Sequence, residues 1–216
     1  MRKVDMIFNS MMGKGKGKTE TYTLYDYLES DGRGQYIDTG MPATDKTTIS
    51  LDISLTNRGD QTYIGNSVES GRTFIFRQIY SGPIFSINID GVSQRLPDLR
   101  KVPGYTYGEW NSLTIGKNIH LVHSSGTEYD YVLTPSEFTT NGNIYLFADN
   151  GIYGARYFAR CRMKPVKRHD NGVLTQLLHP AVRDSDGVAG MFDLQTNTFH
   201  PNANPAGDNF LYGNLT

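Results

Sequence analysis

The sequence predicts an all-β protein, built as an antiparallel β-sandwich or jelly roll, from three observations. Apolar and polar residues alternate with a period of two, as in residues 49–55, which places one set on a buried face and the other in water. Turn dipeptides such as Asp90-Gly91 separate the alternating runs, and the chain contains 23 glycines. No segment has the residue spacing of an amphipathic helix of three turns.

The alternating runs give the individual strands. Residues 49–55 and 85–89 are the clearest, and Asp90-Gly91 predicts a tight turn after the second run. Further strands are expected at residues 61–65, 72–79, 110–115, 118–123, 127–133, 143–149, 155–164, 173–178 and 189–194. The residues expected to be buried are Ile49, Leu51, Ile53, Leu55, Phe85, Ile87, Trp110, Tyr157 and Cys161.

Residues 1–21 differ from the rest and are expected to form an N-terminal arm and linker. Residues 13–18 alternate glycine with lysine, which removes side-chain contacts and makes neighbouring charges repel. Residues 22–216 are expected to form one jelly-roll domain, because all-β sandwiches of this length are commonly single domains.

Composition excludes several partners. The chain of 216 residues has 21 Lys and Arg against 22 Asp and Glu, a net charge of -1, so we expect no nucleic-acid partner, which would require a broad basic surface. No run approaches the roughly 18 apolar residues of a membrane helix, and Met6-Ile7-Phe8 is not followed by a cleavage pattern. Neither membrane insertion nor a signal peptide is expected. Cys161 is the single cysteine, so packing must hold the fold, as suits folding in a reducing cytoplasm.

The glycine-lysine run ends in Gly17-Lys18-Thr19, which invites comparison with phosphate-binding loops. That motif needs a glycine five residues before Gly17, where this chain has Met12, and it also needs a parallel sheet with a following helix. The run is therefore interpreted as a tether, and no nucleotide or other cofactor is expected.

No metal site is expected either. His120 and His123 have an odd spacing, which sends them to opposite faces of a strand. Asp184 and Asp186 together supply fewer oxygens than the six to eight that calcium usually takes, so we interpret them as turn residues.

Catalysis is not expected from the carboxylates or the thiol. Glycosidases need two carboxylates that flank one glycosidic bond, whereas Glu29 and Asp31 fall in a predicted turn. Cys161 has arginine on both sides in sequence, which would favour a thiolate, but it shares a strand face with small and apolar residues and is expected to be buried and unreactive. We predict a non-enzymatic protein.

The strand predicted at residues 155–164 would carry a cationic stripe with one aromatic ring. This stripe is interpreted either as a solvated outer face or as a surface that docks on an acidic protein or an anionic glycan. Its members are Arg156, Phe158, Arg160, Arg162 and Lys164.

Two loops rich in tyrosine form a candidate glycan site. Sugar rings stack on aromatic faces while amides and carboxylates bind hydroxyl groups, so loops 103–108 and 149–154 are expected to form a shallow site at one end of the sandwich. The residues of this site are Tyr105, Tyr107, Asp149, Asn150 and Tyr153. The alternative is that these tyrosines are ordinary surface residues of a tyrosine-rich chain.

Three segments resemble a known family. Residues 25–40 (YDYLESDGRGQYIDTG), 171–174 (NGVL) and 183–194 (RDSDGVAGMFDL) resemble the opening and closing hairpins of laminin G-like, concanavalin A-like jelly rolls of bacteriophage virion proteins and gut-bacterial surface proteins. The resemblance implies a non-enzymatic structural protein of a phage particle, of capsid-decoration or head-fibre type, assembled in the host cytoplasm and displayed on the virion surface. A tail-associated adhesion module and a bacterial carbohydrate-binding module are the alternatives.

The partners expected from this interpretation are a capsid or other virion protein, a host or mucosal glycan, and further copies of the chain. The arm is expected to hold the virion protein through apolar residues that are too few to form a core. These are Val4, Met6, Ile7, Phe8, Met11 and Met12. The alternative is that the arm packs back on the sandwich as an extra edge strand.

Overall fold

A computed structural model describes residues 3–5, 20–56, 59–69, 71–79, 84–96 and 107–213. These residues form strands and turns and no helix, which confirms the prediction of an all-β fold. The strands are β1 (Lys3–Asp5), β2 (Thr21–Leu24), β3 (Leu28–Asp31), β4 (Ile37–Asp38), β5 (Thr47–Leu55), β6 (Gln61–Glu69), β7 (Arg72–Ile79), β8 (Ile84–Ile89), β9 (Val92–Arg95), β10 (Trp110–Ile115), β11 (Asn118–Val122), β12 (Glu128–Val132), β13 (Tyr145–Leu146), β14 (Asp149–Gly151), β15 (Gly154–Arg156), β16 (Arg160–Met163), β17 (Val166–Asp170), β18 (Val173–Arg183), β19 (Ala189–Asp193), β20 (Thr198–Pro201) and β21 (Leu211–Tyr212).

The described strands form two sheets, and the larger one has 13 strands with β5 at its centre. Its main order is β1-β2-β18-β17-β5-β10-β11-β12. On one side β5 pairs with β10. On the other side its first half pairs with β17 and its last residues pair with β16. Strands β3 and β21 extend the sheet beyond β16, and β19 and β20 extend it from β18.

The smaller sheet has eight described strands in the main order β15-β14-β6-β7-β8-β9, with β13 and β4 beside β6. All its pairs are antiparallel except β14 with β6. The two antiparallel sheets pack as a sandwich, an arrangement consistent with a jelly roll.

One apolar core fills the space between the sheets. Alternate residues of β5 and β8 point into it, so Ile53 is 2% exposed and Ile87 is fully buried. The phenyl rings of Phe76 and Phe85 stack with their centroids 5.5 Å apart. Burial is confirmed for seven of the predicted residues, Ile49, Leu51, Ile53, Leu55, Phe85, Ile87 and Cys161.

The predicted burial of Trp110 is wrong, because the tryptophan lies on the outer face of the larger sheet. Leu113 and Ile115 of the same strand are buried, and an odd separation from each places Trp110 on the opposite face. Asn111 takes the inward position, where its Oδ1 accepts a hydrogen bond from the Ser124 N–H at 3.3 Å.

The predicted strand at residues 155–164 is also wrong, because the chain crosses there from one sheet to the other. Residues Gly154–Arg156 end the smaller sheet and Arg160–Met163 belong to the larger one. Tyr157 breaks the alternation with φ of 52°, and its carbonyl accepts a hydrogen bond from the Thr62 N–H at 2.8 Å. Tyr157 is consequently 49% exposed instead of buried.

The turn predicted at Asp90-Gly91 is confirmed, whereas the turn predicted at Glu29 and Asp31 is wrong, because both residues lie in β3 and only the Asp31 carboxylate caps the turn that follows, by accepting from the Arg33 N–H at 2.8 Å. Asp90-Gly91 and Asn171-Gly172 both have positive φ at each residue, 51° and 75° for the first and 53° and 79° for the second. These values suit the two-residue turns that match strand twist in hairpins. The strand predicted at 143–149 is instead two short strands, β13 and β14.

The N-terminal residues include one strand of the larger sheet. Lys3–Asp5 pairs antiparallel with Thr21–Leu24. This part of the arm therefore packs back on the sandwich as an edge strand, which was the alternative considered for the arm. Residues 6–19, which contain most of the predicted docking residues, lie outside the described part of the chain.

Candidate functional site

The described end of the predicted 103–108 loop, Tyr107 and Gly108, lies at the opposite end of the sandwich from the 149–154 loop. The Gly108 N–H donates to the carbonyl of Leu55, at the carboxyl end of β5. Gly151 pairs with Ser67 near the carboxyl end of β6. The start of β6 lies near the end of β5, since the side chains of Gln61 and Thr56 both hydrogen-bond to the backbone of Arg160. Six residues of an extended strand span about 20 Å. The structure therefore does not bring Tyr107 together with the 149–154 loop, and Tyr105 lies outside the described residues.

Two of the polar groups predicted for that site are engaged inside the protein. The Asp149 carboxylate accepts hydrogen bonds from Arg156 at 2.9 Å and from Ser67 at 2.5 Å, and Asp149 is 3% exposed. Asn150 is 8% exposed and donates to the carbonyl of Asn143 at 2.9 Å. These contacts brace the hairpin and leave little of either side chain for a sugar.

The tyrosines of the predicted site differ in exposure. Tyr153 stands at the tip of the β14–β15 hairpin with 92% of its surface exposed. Tyr107 is half-buried and packs against the core. An aromatic platform thus exists at Tyr153, but without the neighbouring polar groups that the sequence pattern placed beside it.

The predicted cationic stripe is divided between the two sheets, and three of its charges are compensated. The Lys164 Nζ lies 3.8 Å from the Asp52 carboxylate. Arg156 pairs with Asp149, and the Arg162 Nε donates to the Glu29 carboxylate at 2.8 Å. Arg160 is exposed, and Phe158 is half-buried with its ring 6.2 Å from that of Tyr36. The described residues therefore contain no continuous cationic stripe along this segment. Of the predicted docking residues in the arm, only Val4 lies in a described strand.

Three rows of outward side chains cross the larger sheet, and we call this surface the outer face. The first row is Glu29, Arg162, Ser54 and Trp110 on β3, β16, β5 and β10. The second is Lys164, Asp52, Ser112, Val122 and Glu128. The third is Lys167, Ser50, Thr114, His120 and Asp130.

A groove of about 180 Å³ lies on the outer face between the second and third rows. Its polar lining consists of carboxylate, hydroxyl, imidazole and ammonium groups, from Ser50, Asp52, Ser112, Thr114, His120 and Lys167. Pro165 contributes apolar surface at one side. The groove thus offers hydrogen-bond donors and acceptors at close spacing on a rigid sheet.

Hydrogen bonds and charges order the side chains around the groove. The Ser112 hydroxyl donates to Asp52 at 2.5 Å, and the Lys164 Nζ lies 3.8 Å from the same carboxylate. The hydroxyl groups of Ser50 and Thr114 lie 2.9 Å apart and share one hydrogen bond. These contacts hold the polar groups in place and so reduce the conformational entropy lost on binding.

Aromatic rings border this polar surface. The Lys164 Nζ lies 4.7 Å from the centroid of the Trp110 ring. Tyr27 lies beyond, 5.9 Å from Trp110, and the Arg162 guanidinium lies 5.3 Å from the Tyr27 ring. Trp110 is partly exposed, so one edge of the outer face combines a large apolar ring with charged neighbours.

Glu128 and Asp130 are a pair of carboxylates that the sequence analysis missed. They stand at alternate positions of β12, a spacing visible in Glu128-Tyr129-Asp130 itself. His120 Nδ1 lies 2.8 Å from the Asp130 carboxylate, and the Asp130 side chain is 75% exposed. Both carboxylates therefore face solvent at the sheet edge.

The aspartates considered as metal ligands have turn roles, as predicted. Asp184 accepts a hydrogen bond from the Thr23 hydroxyl at 2.8 Å. Asp186 accepts from Arg183 and from the Val188 N–H. Within the described ranges, no three His, Cys, Asp or Glu side chains cluster in the manner of a metal site. The same residues contain no helix long and apolar enough to cross a membrane.

The remaining candidate residues are placed as their spacing predicts. His120 is on the outer face, while His123 is 2% exposed, and burial lowers the pKa of its imidazole. Cys161 is fully buried, and burial raises the pKa of its thiol well above the usual value. A thiol of this kind remains protonated and shielded from reagents.

Comparison with known proteins gives limited similarity. No family model matches the chain, and no curated protein sequence matches it. A candidate carbohydrate-binding protein from Bacteroides ovatus is similar in structure, with 12% identity over 89% of this chain and a TM-score of 0.49. The enzymatically active domain of tailspike protein 2 from bacteriophage CBA120 is similar with 12% identity over 77% of this chain and a TM-score of 0.44. The chain spans 61% of the first protein and 31% of the second.

Proposed function

We propose that the chain is a non-enzymatic glycan-binding module whose site is the groove on the outer face and the adjoining Trp110. The observation that supports this most strongly is the combination of a preorganised polar groove with a partly exposed indole ring at its edge. Sugar hydroxyls need closely spaced donors and acceptors, which Asp52, Ser112 and Lys164 provide. The apolar face of a sugar ring packs against an aromatic side chain.

The shallow shape of the groove argues for weak binding at a single site. Its volume of about 180 Å³ is below the roughly 300 Å³ at which pockets usually begin to enclose a small molecule. Several copies displayed together raise the overall avidity without new contacts. We therefore propose a module that functions in many copies.

The positions of the carboxylates support binding without hydrolysis. Asp52 and Glu128 stand three strands apart, about 14 Å, which exceeds the roughly 5–9.5 Å between the two carboxylates of glycosidases. Glu128 and Asp130 are about 7 Å apart along one strand, within that range. They are exposed, however, and a general acid needs burial to raise its pKa.

Mutation of the outer face tests this proposal. We expect Trp110→Ala and Asp52→Asn each to weaken binding at least tenfold, since one removes the ring and the other removes the charge that orients Lys164 and Ser112. The measurement is binding of tetramerised protein to an array of bacterial-surface and mucin glycans, followed by titration of the best ligand by NMR.

Two control variants separate this site from other surfaces. Tyr153→Ala removes the exposed ring at the 149–154 loop, and Asp208→Asn removes an exposed carboxylate elsewhere. Both should bind as the wild type does. Binding that depends on Tyr153 and not on Trp110 would show that the glycan site is in the 149–154 loop. An array on which the protein binds no glycan would contradict the proposal.

We further propose that the module is displayed on a phage particle, as a capsid-decoration or head-fibre protein. The resemblance of residues 25–40, 171–174 and 183–194 to phage jelly rolls supports this, as does the usefulness of many copies for weak binding. A tail-associated adhesion module and a bacterial carbohydrate-binding module are the alternatives, and the apolar residues within 6–12 are the segment proposed to contact a capsid or tail protein.

The location is tested by quantitative mass spectrometry of purified particles. A decoration role predicts peptides of this chain in amounts comparable to those of the capsid protein, whereas a tail role predicts a few copies per particle. Absence from particles and recovery with cell envelopes would instead indicate the bacterial alternative.

A further inference from the structure

The last strand of the larger sheet, β12, has one edge with which no other described strand pairs. Within the described residues β12 pairs with β11 alone. The backbone bonds that flank this pairing join His123 N–H to the Thr127 carbonyl at 2.8 Å and Leu133 N–H to the Lys117 carbonyl at 2.7 Å. In an antiparallel pair, hydrogen-bonded pairs recur at every second residue. The bonds to β11 therefore fall at the odd-numbered residues of β12.

The even-numbered residues of β12 point their backbone groups away from the sheet. Tyr129 and Tyr131 bond to β11, so the N–H and C=O groups of Glu128, Asp130 and Val132 face outward. An edge of this kind is a template for another strand.

The two faces of this edge differ in chemistry. Glu128, Asp130 and Val132 project their side chains from the outer face and are exposed, Val132 by 69%. Tyr129 and Tyr131 point the other way and pack partly against the core. A strand that pairs with β12 thus meets acidic side chains on one face and aromatic rings on the other.

We propose that the free edge of β12 binds residues 13–18 of a second copy of this chain as an added strand. In an extended conformation, Gly13-Lys14-Gly15-Lys16-Gly17-Lys18 presents all its lysines on one face and its glycines on the other. The lysines then stand opposite Glu128 and Asp130, and opposite charges at facing positions stabilise a strand pair. The glycines pass the tyrosine face without side chains that need space.

Charge determines which partner this edge accepts. Charged side chains on an edge strand discourage pairing with an identical edge, because like charges then face each other. Glu128 and Asp130 have this effect between two β12 strands. A strand with lysine at alternate positions removes the repulsion, so the edge is selective for a basic partner and the glycine-lysine run has the matching period.

Geometry indicates that the bound segment comes from another molecule. Residues 6–19 connect Asp5 of β1 to Glu20, just before β2, and both strands lie at the opposite edge of the sheet. Six inter-strand steps separate β2 from β12, roughly 29 Å across the sheet. A loop tethered at both ends would need about 58 Å to reach β12 and return, whereas the 15 steps from Asp5 to Glu20 span about 54 Å at most when fully extended.

Hydrogen exchange of the full-length protein with a synthetic peptide tests the proposal. A peptide of residues 10–20 is added to the ¹⁵N-labelled chain at low salt, and amide exchange is followed by NMR. We expect the amide protons of Glu128, Asp130 and Val132 to exchange at least tenfold more slowly with the peptide. Those of Tyr129 and Tyr131, already bonded to β11, should change little. No added protection at the outward amides would overturn the proposal, as would protection confined to another sheet edge.

Three controls examine the charge pattern and the edge separately. A peptide with three consecutive glycines followed by three lysines has the same composition without the alternation and should not protect β12. The double variant Glu128→Lys/Asp130→Lys should lose the protection and any salt-sensitive self-association of the full chain in sedimentation. The matched variant Glu137→Lys/Asp208→Lys makes the same change of charge at other exposed positions and should retain both.

A backbone variant completes the test. Asp130→Pro removes an N–H that points away from β11, and proline is tolerated at such positions of edge strands. The variant should keep the wild-type melting temperature and lose peptide binding. Protection that survives in both Asp130→Pro and the Glu128→Lys/Asp130→Lys variant would show that the peptide binds elsewhere.

Discussion

Replacement of Ile53 by aspartate is expected to unfold the protein. Ile53 is 2% exposed in the layer between the sheets, where Leu55, Phe76 and Phe85 line the same part of the core. A carboxylate there has no described partner and must either be buried with its charge or take up a proton. The loss should be about 4 kcal/mol or more, which exceeds the effect of most single substitutions.

Urea denaturation followed by circular dichroism measures this effect. Ile53→Val removes one methylene from the same site and should cost about 0.5–1.5 kcal/mol. Ser50→Asp places the same carboxylate on the outer face of the same strand, where Ser50 is partly exposed, and should be much milder. Similar losses for Ile53→Asp and Ser50→Asp would contradict the assignment of the two faces of β5.

The second large effect is expected from Asp170→Ala, which removes the partner of a buried arginine. Arg168 has a side chain only 5% exposed, and its guanidinium donates to the Asp170 carboxylate at 2.8 and 3.1 Å. Thr47 and Thr175 donate to the same carboxylate at 2.6 and 2.7 Å. Loss of one member of a buried ion pair typically costs about 3–5 kcal/mol, since the other charge remains uncompensated.

The pH dependence of this effect follows from the pKa of Asp170. Burial is the largest single influence and raises that pKa, but the hydrogen bonds from Arg168, Thr47 and Thr175 together lower it below the usual value. A lowered folded-state pKa means that the stabilisation is fully present above the unfolded pKa of about 3.9 and is lost as pH falls through the folded pKa. The difference between wild type and Asp170→Ala should therefore shrink as the pH falls below about 4.

Glu69→Ala is the matched control for the ion pair. Glu69 lies 3.8 Å from Arg72 in a pair whose side chains are 44% and 58% exposed. A surface pair of this kind contributes about 0–1 kcal/mol. A loss for Asp170→Ala no larger than that for Glu69→Ala, or a difference that grows toward acid, would contradict the role given to Asp170.

The fold class could be predicted from the sequence because it depends on local patterns. Alternation identified β5, β7 and β10 with nearly correct bounds, and the turn dipeptides were correctly placed. Parity along β10 would also have placed Trp110 outside, since Leu113 lies at an odd separation from it. The prediction of one strand at residues 155–164 was wrong for a different reason. The alternation of side chains continues in the sequence through Tyr157, where the backbone leaves one sheet for the other.

The candidate site depends on strand register, which a single sequence does not contain. Asp52 and Ser112 are 60 residues apart and hydrogen-bond only because β5 and β10 pair in one register. A shift of one residue would turn either side chain to the opposite face. The Glu128-Tyr129-Asp130 spacing, by contrast, was visible in the sequence, although its place at a sheet edge was not.

The central position of β5 has a consequence for how the protein folds. More than a hundred residues of chain separate Leu55 from Cys161, its register partner on β16, and similar distances separate the first half of β5 from β17. Closing such long loops before any contact is gained is slow. During synthesis β5 leaves the ribosome long before β16 and β17 exist. The edge of β5 that pairs with these two strands therefore stays unpaired until then, and the larger sheet is completed only after most of the chain has been made.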